Sequence, residues 1–173
     1  MPIEAFRELL PSVHPRAWVH ASAALLGDVQ LGEDVSVWPM TVLRGDCGTI
    51  QIGARTNLQD GVIAHASTGF SQTTIGADCT IGHRVVLHGC TVGDRCLIGM
   101  GSVLLDNCVI GAGSFVGAGS LVTPGKIFEP GSFIVGSPAK RVRAVRAQDL
   151  AMIDGGVRSY LALMQTYRDA SSR

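Results

Sequence analysis

Charged side chains, aromatic rings and long apolar runs are all scarce in this sequence. Charged residues make up 16% of the 173 residues and aromatic residues 5%, and 14 Lys and Arg balance 14 Asp and Glu. A formal charge of zero argues against a general nucleic-acid binder, which normally carries a basic excess. No apolar run approaches the roughly 20 residues that a membrane-spanning helix needs. We therefore expect neither nucleic acid nor a membrane as a partner.

Paired cysteine motifs are missing as well. The five cysteines, at positions 47, 79, 90, 96 and 108, include no C-x-x-C pair, and their number is odd. The first ten residues, MPIEAFRELL, resemble neither a secretory signal nor a transit peptide. This pattern is typical of a cytoplasmic protein that uses reduced thiols as small core residues.

Glycine is abundant, with 22 residues, and aliphatic residues recur at every sixth position. A helix repeats every 3.6 residues and a strand every 2, so a period of six indicates one short strand and one corner per repeat. Three repeats close one coil, and the coils stack their aliphatic residues into a core. The sequence therefore predicts an all-β solenoid, a parallel β-helix. The two longest runs are Val19, Leu25, Leu31, Val37, Leu43 and Val92, Ile98, Leu104, Ile110, Val116, Val122, Phe128, Ile134.

The same repeat divides the chain into two parts. It predicts a β-helix over residues 1–143, with a short N-terminal lead-in and a loop at 66–74 (ASTGFSQTT) where the aliphatic spacing is lost. Residues 144–173 change to helical spacing of apolar residues. We expect one C-terminal helix that packs along the solenoid, weakened in its middle by Gly155 and Gly156.

Three histidines, His65, His83 and His88, lie close to irregularities of the repeat. If loop 66–74 leaves the solenoid, the residues before His65 and His88 begin hexads one full coil apart, so the two imidazoles stack on one face about 4.8 Å apart. His83 lies on another face and reaches that pair only from a neighbouring copy of the chain. The spacing predicts a metal site between subunits, repeated three times in a rotational trimer. Three imidazoles with one open position suit catalytic Zn²⁺, and Fe²⁺ or Co²⁺ fit the same ligands.

A polar segment interrupts the first aliphatic run. Arg44 and Asp46 are two residues apart and share one face of an extended chain. An ion pair at a subunit interface explains this arrangement as well as a catalytic role does. Asn57 and Gln59 share a face, and Asp60 lies on the other. Gln59 precedes the first of the three histidines by one hexad, so we expect its neutral amide to orient a metal-bound hydroxide.

The motifs LRGD, NLQD and IGHRVVLHGC, in this order, resemble the γ-class carbonic anhydrases and the wider γ-carbonic-anhydrase-like family. The resemblance extends from about Val13 to the C-terminal helix. It implies a left-handed β-helix, a homotrimer, and metal-dependent reversible hydration of CO₂ to bicarbonate by a lyase. It also implies that His65 and His88 of one subunit and His83 of the next bind the metal, preferably zinc.

The resemblance further implies roles for the polar residues. Arg44 would form an ion pair and contact bicarbonate, with Asp46 and Asp60 as its partners. Gln59 would bond to the metal-bound solvent, and Asn57 would position that glutamine.

A residue of the C-terminal helix and two departures from the family complete the comparison. Tyr160 is similar to a residue that reaches the site in some members, although ring packing also explains it. Cys47 stands where active members carry a glutamate, and loop 66–74 has no acid to export a proton. We therefore expect hydration to be slow or to depend on buffer.

Two other functions are compatible with the same residues. The solenoid and the GSPAKRVR segment that leaves it suit a hexapeptide-repeat acyl-CoA transferase or a thioesterase, which would bind CoA in a groove between subunits. A non-catalytic, metal-stabilised trimer is the third hypothesis. Metal content and turnover of each substrate class separate the three.

Overall fold

The computed structural model describes residues 3–171, which form a left-handed parallel β-helix followed by one long helix, as predicted. Short strands of successive coils pair in parallel to build flat faces around a common core. In chain order the elements are β1 (Ile3–Glu4), β2 (Ser12–Val13), β3 (Trp18–Val19), β4 (Ala24–Leu31), β5 (Ser36–Val37), β6 (Val42–Ile52), β7 (Asn57–Leu58), β8 (Ile63–His65), β9 (Thr73–Ile75), β10 (Thr80–Ile81), β11 (Val86–His88), β12 (Thr91–Val92), β13 (Leu97–Ile98), β14 (Val103–Leu104), β15 (Val109–Ile110), β16 (Phe115–Val116), β17 (Leu121–Val122), β18 (Ile127–Phe128), β19 (Ser132–Gly136), β20 (Ala139–Ala144) and α1 (Ala147–Ser171).

The core consists of stacked columns of aliphatic side chains, each taking one residue from every coil. The column behind β8 and β11 shows how the six-residue period becomes packing, because its members pair in register from strand to strand and are fully buried. Like side chains then fill equivalent space in each coil, which removes apolar surface from water along the whole solenoid. This column contains Leu25, Leu43, Ala64, Leu87, Leu104 and Val122.

The glycines that follow the aliphatic positions allow the coils to approach closely at the corners. A Cβ added at Gly53 would lie 2.5 Å from the backbone nitrogen of Ala77, and one at Gly93 would lie 2.7 Å from that of Ala112. Both distances are too short for a real carbon, so glycine is required by the spacing between coils.

Two irregularities place the polar residues of interest. Strand β6 continues around a corner against β4, and the register shifts between Gly27 and Val29. After β8 the chain leaves the solenoid and returns at β9, which begins at Thr73. The prediction of a loop over 66–74 was therefore wrong for Thr73 and Thr74, which pair with Ile50 and Gln51 of β6 because a strand with unpaired backbone groups is available there.

The chain departs from the repeat before the helix. Strand β20 turns back to pair antiparallel with β19 and ends at Ala144, an element that the hexad count does not predict. Helix α1 begins at Ala147, where the Asp149 carboxylate accepts a hydrogen bond from the Arg146 N–H at 2.7 Å. The same carboxylate pairs with Arg143 of β20, so one buried acid caps the helix and joins it to the solenoid.

Helix α1 continues through Gly155 and Gly156, where the sequence predicted that the helix would be weakened. A Cβ at Gly156 would lie 2.8 Å from Oγ1 of Thr80 in β10, whereas a Cβ at Gly155 would meet no atom of residues 3–171 within 4 Å outside its own stretch of helix. Gly156 therefore lets the helix approach the solenoid face. Within residues 3–171 no helix is both long enough and apolar enough to cross a membrane.

Candidate functional site

His65 and His88 lie directly opposite each other in the pairing of β8 with β11, one coil apart, as the hexad count predicted. Their ring centroids are 5.3 Å apart, and Nδ1 of His65 faces Nε2 of His88 at 3.3 Å. The side chains are 17% and 30% exposed, respectively. The fold therefore brings two imidazole nitrogens together in a partly buried site.

Each of these imidazoles has a carboxylate at its other nitrogen. Nε2 of His65 lies 3.0 Å from Oδ1 of Asp46, and Nδ1 of His88 lies 3.1 Å from both oxygens of Asp106. An imidazole that donates its N–H to a carboxylate presents a lone pair at the opposite nitrogen. Two lone pairs that face each other repel, so this arrangement favours a cation, a proton or a metal ion, between the rings.

His83 repeats the same arrangement on another face of the solenoid. Its Nδ1 lies 3.0 Å from Oδ2 of Asp60, and its side chain is 42% exposed. Within residues 3–171, no hydrogen bond joins His83 to His65 or His88. One chain therefore brings together two of the three predicted ligands, and the third faces outward with its own carboxylate.

Gln59 and Asn57 form a buried network beside His83. Oε1 of Gln59 accepts a hydrogen bond from the His83 backbone N–H at 3.1 Å, and Nε2 of Gln59 donates to Oδ1 of Asn57 at 3.3 Å. Asn57 in turn donates to Oγ1 of Thr80 at 3.0 Å. Gln59 therefore lies beside His83, on the face of the coil that precedes His65, and its expected role of orienting a metal-bound hydroxide stays a prediction.

Arg44 pairs with Asp46 within the chain. Its Nη1 lies 2.8 Å and 2.7 Å from the two carboxylate oxygens. Burial raises the pKa of Asp46, but hydrogen bonds from Arg44 and His65 outweigh burial and hold the pKa below its ordinary value. Asp60, the second predicted partner of Arg44, pairs with His83 within the chain.

Asp46 and His65 also lie close to Cys47. The three side chains present possible ligand atoms within 4.8 Å of one another. Arg44 already occupies both oxygens of Asp46, however, and a second cation there would meet its positive charge. The nitrogens shared by His65 and His88 are the better position for a metal ion.

Asp106 is a residue of this site that the sequence interpretation missed. It follows His88 by 18 residues, one full coil, and this spacing could have revealed it. Its carboxylate also accepts hydrogen bonds from Ser71 at 2.5 Å and from Ser67 at 3.4 Å, so the loop after β8 is tied to the site. Burial raises the pKa of Asp106, but the Ser71 hydrogen bond and the nearby His88 hold it below its ordinary value.

A cleft of about 710 Å³ opens beside Asp46. Cys47, Phe70, Gln72 and Asn107 are among the residues that line it, so the loop after β8 forms one wall. Its volume falls in the range of pockets that hold an extended small molecule, about 300–1,000 Å³.

The C-terminal helix places Tyr160 on the His83 side. Its ring packs edge-on against Trp38 at 5.1 Å. Burial raises the pKa of the Tyr160 hydroxyl, and the charge of Asp60 raises it further. Tyr160 therefore packs as a partly buried aromatic residue and also lies near the carboxylate that holds His83.

Comparison with known proteins relates this geometry to a family. The profile of the bacterial transferase hexapeptide family (six repeats) matches residues 72–106 and 89–124. Protein YrdA of Escherichia coli K12 is 40% identical over 177 aligned residues, which cover 99% of this chain and 96% of that protein. The carnitine operon protein CaiE of the same species is 43% identical over 150 residues, covering 87% and 76%. The solved structure of the Bacillus cereus BC4754 gene product, assigned as an acetyltransferase, has a TM-score of 0.94 at 38% identity and covers 97% of both chains.

These relatives contradict the predicted carbonic anhydrase activity. The matching family and the solved structure are named for group transfer, and none of these names refers to CO₂ or to a lyase. The prediction was wrong because the motifs LRGD and NLQD and the three histidines indicate which side chains build the site, but not which reaction it catalyses. The same scaffold hosts more than one reaction, so its motifs do not fix the chemistry.

Proposed function

Because the chain belongs to the bacterial hexapeptide-repeat transferase family, we propose that it transfers or hydrolyses acyl groups carried as CoA thioesters, at a site shared by two copies of the chain. The observation that carries this proposal is the pair of carboxylate-held imidazoles, His65 and His88, close to a cleft of about 710 Å³. The 38% identity to a structure assigned as an acetyltransferase supports the reaction class.

We also propose that the site holds a divalent metal ion, with zinc favoured and Fe²⁺ or Co²⁺ compatible with the same ligands. Two nitrogen ligands of a tetrahedral zinc ion, with bonds of about 2.0–2.1 Å, lie roughly 3.3–3.4 Å apart. The facing nitrogens of His65 and His88 are 3.3 Å apart, which agrees with such a pair. Nε2 of His83 from a neighbouring copy would be the third ligand, because Asp60 holds its Nδ1.

When bound, such an ion would supply a Lewis acid that polarises a thioester carbonyl. The side chains of the protein orient the site. Asp46 and Asp106 fix the tautomers and ring positions of His65 and His88, and Arg44 holds Asp46 ionised. In the reaction, an acceptor hydroxyl, amine or water attacks the carbonyl, the carbon–sulfur bond breaks, and the acceptor's proton passes to the departing CoA thiolate.

The apolar surface beside the histidines supports a shared site. Outward-facing aliphatic side chains form a stripe that runs across five paired strands next to His65 and His88, and Ile63 within it is 43% exposed. A stripe of this kind favours contact with another copy of the chain. Closure by rotation gives a homotrimer with three equivalent sites. The stripe contains Val42, Ile63, Val86, Val103 and Leu121.

A coupled test examines the reaction and the metal together. The purified protein is incubated with a series of short acyl-CoA thioesters, with and without amine or alcohol acceptors, and free CoA is measured by chromatography. Chromatography is preferred because Cys47, the one cysteine of the chain that is not buried, would react with a thiol reagent. We expect CoA release that a chelator abolishes and that zinc restores, with about one ion per chain by metal analysis.

Two variants separate the site from the rest of the chain. His88→Ala removes one facing nitrogen and should abolish CoA release. His14→Ala removes a histidine near the first coil, whose Nδ1 accepts a hydrogen bond from the Arg16 N–H, and should leave release unchanged. Metal-loaded trimers that release no CoA from any thioester would refute acyl transfer and would favour the non-catalytic, metal-stabilised assembly.

A further inference from the structure

A second cavity, of about 210 Å³, lies between the C-terminal helix and the solenoid. Its lining shares no residue with the lining of the 710 Å³ cleft. We call it the aromatic pocket, since four aromatic rings, one carboxylate and one leucine make up most of its wall. These are Trp18, Trp38, Asp60, Tyr160, Leu163 and Tyr167.

The rings form a box rather than a stack. Trp38 is only 6% exposed and is held by a hydrogen bond from its Nε1 to Ser36 at 3.0 Å. The rings of Tyr160 and Tyr167 stand at 84° and 85° to it, with centroids 5.1 Å and 5.5 Å away. Because the two tyrosines are seven residues apart on one helix, they are separated by about 10 Å along its axis. The two tyrosine rings therefore stand roughly perpendicular to Trp38 at separate positions, and the Trp18 ring contacts both Trp38 and Tyr167.

Besides the two tyrosines, the ionisable side chains that line the aromatic pocket are Asp60 and His20, and the His20 imidazole is held by Ser22. Asp60 is the acidic residue, and among residues 3–171 no lysine or arginine contributes to the lining. Oδ2 of Asp60 interacts with His83, and the carboxylate is close enough to Tyr160 to add to the effect of burial on the tyrosine hydroxyl. The pocket thus combines electron-rich ring faces with one anionic group.

We propose that the aromatic pocket binds a small organic cation, specifically a quaternary ammonium head group. Ring faces attract cations through their quadrupole, and a quaternary ammonium has no N–H groups that would need hydrogen-bond acceptors in an apolar box. The volume lies below the roughly 300–1,000 Å³ of pockets that enclose whole ligands, so a head group fits and a nucleotide does not. A phosphate-bearing ligand would also meet the repulsion of Asp60.

Tryptophan fluorescence tests this inference directly, because Trp18 and Trp38 are the two tryptophans of the chain and both line the pocket. The full-length protein is titrated at constant ionic strength with choline and, separately, with 3,3-dimethylbutan-1-ol, its neutral carbon analogue. We expect a saturable change with choline, and at least about tenfold weaker binding of the neutral analogue. The result is independent of acyl transfer, since only binding is measured.

Tyr167 offers the variant least coupled to folding, because its side chain is 48% exposed near the end of the helix. Tyr167→Leu should weaken choline binding at least about fivefold, whereas Tyr167→Phe, which keeps the ring, should retain it. Phe70→Leu removes an exposed aromatic residue outside the pocket and is the matched control. Equal binding of choline and its neutral analogue would overturn the proposal, as would the absence of any saturable change with choline in the native protein.

Discussion

Replacing Asp106 removes the carboxylate that holds His88, without touching a proposed metal ligand. Both oxygens of Asp106 lie 3.1 Å from Nδ1 of His88, so the native contact fixes both the tautomer and the ring. Loss of such an outer partner typically lowers metal affinity by about 10–100-fold. Asparagine can still accept one hydrogen bond from the N–H of His88 but lacks the charge. We therefore expect a loss of about tenfold for Asp106→Asn and about 100-fold for Asp106→Ala.

The measurement is a competition titration of the metal-free protein against a chromophoric zinc chelator. Asp154→Asn is the matched control, because it removes a carboxylate from an exposed pair with Arg95 and should leave zinc affinity unchanged. Ser71→Ala removes the 2.5 Å hydrogen bond to Asp106 but keeps the carboxylate, so its effect should be smaller than that of either Asp106 variant. Zinc affinity within twofold of native for a folded Asp106→Ala protein would refute the proposed role of the carboxylate.

Two further predictions concern stability. Gly155→Ala should stabilise helix α1 by about 0.5–1 kcal/mol, because the new methyl group meets open space and alanine has the higher helix propensity. Gly156→Ala should destabilise the protein, since its Cβ would lie 2.8 Å from an Oγ1 of Thr80 that already bonds to Asn57. Urea unfolding at fixed chain concentration compares the stability of the two variants. Equal stabilisation by both substitutions would contradict the close contact between helix α1 and the solenoid. A third prediction concerns the pH dependence of stability. The hydrogen bond from Arg143 lowers the pKa of Asp149 in the folded protein below the unfolded-state value of about 3.9. The ion pair therefore stabilises the fold above about pH 3.9, and this stabilisation is lost as the pH falls through the lower folded-state pKa. The difference in melting temperature between the native protein and Asp149→Asn should therefore be present at pH 6 and shrink below about pH 4, and a constant difference would contradict this assignment.

The parts of the fold that follow from the six-residue repeat could be predicted from the sequence. Equivalent positions of successive coils lie three hexads apart, so a strict count places Leu87 above Ala64 and His88 above His65 across an intervening loop. The count failed where the chain leaves the repeat. Strand β20 pairs with a free edge of the sheet, and Thr73 pairs with the part of β6 that continues around a corner; residue spacing reveals neither.

The site was predictable only in part for a related reason. His65 and His88 are regular in the repeat, but the carboxylate that holds each one comes from a corner or from a neighbouring coil, as Asp106 does for His88. The aromatic pocket depends on how the helix packs, since Tyr160 and Trp38 lie far apart in the sequence. For the reaction, the residues left CO₂ hydration and acyl transfer both open, and the relatives favour the acyl-transfer alternative. One fold hosts several chemistries, so the scaffold alone does not decide between them.

Two defective variants, when combined, test whether two copies share one site. His83→Ala chains keep the His65–His88 pair, and His65→Ala chains keep His83, so neither variant alone should bind zinc tightly. In a cyclic trimer that contains both variants, one of the three interfaces is intact, and a random equal mixture should recover about a quarter of the native metal content. Refolding the variants together and measuring zinc per chain after gel filtration should give that fraction, with CoA release recovered in proportion. Zinc content no higher than that of the separate variants would contradict a site built between copies of the chain.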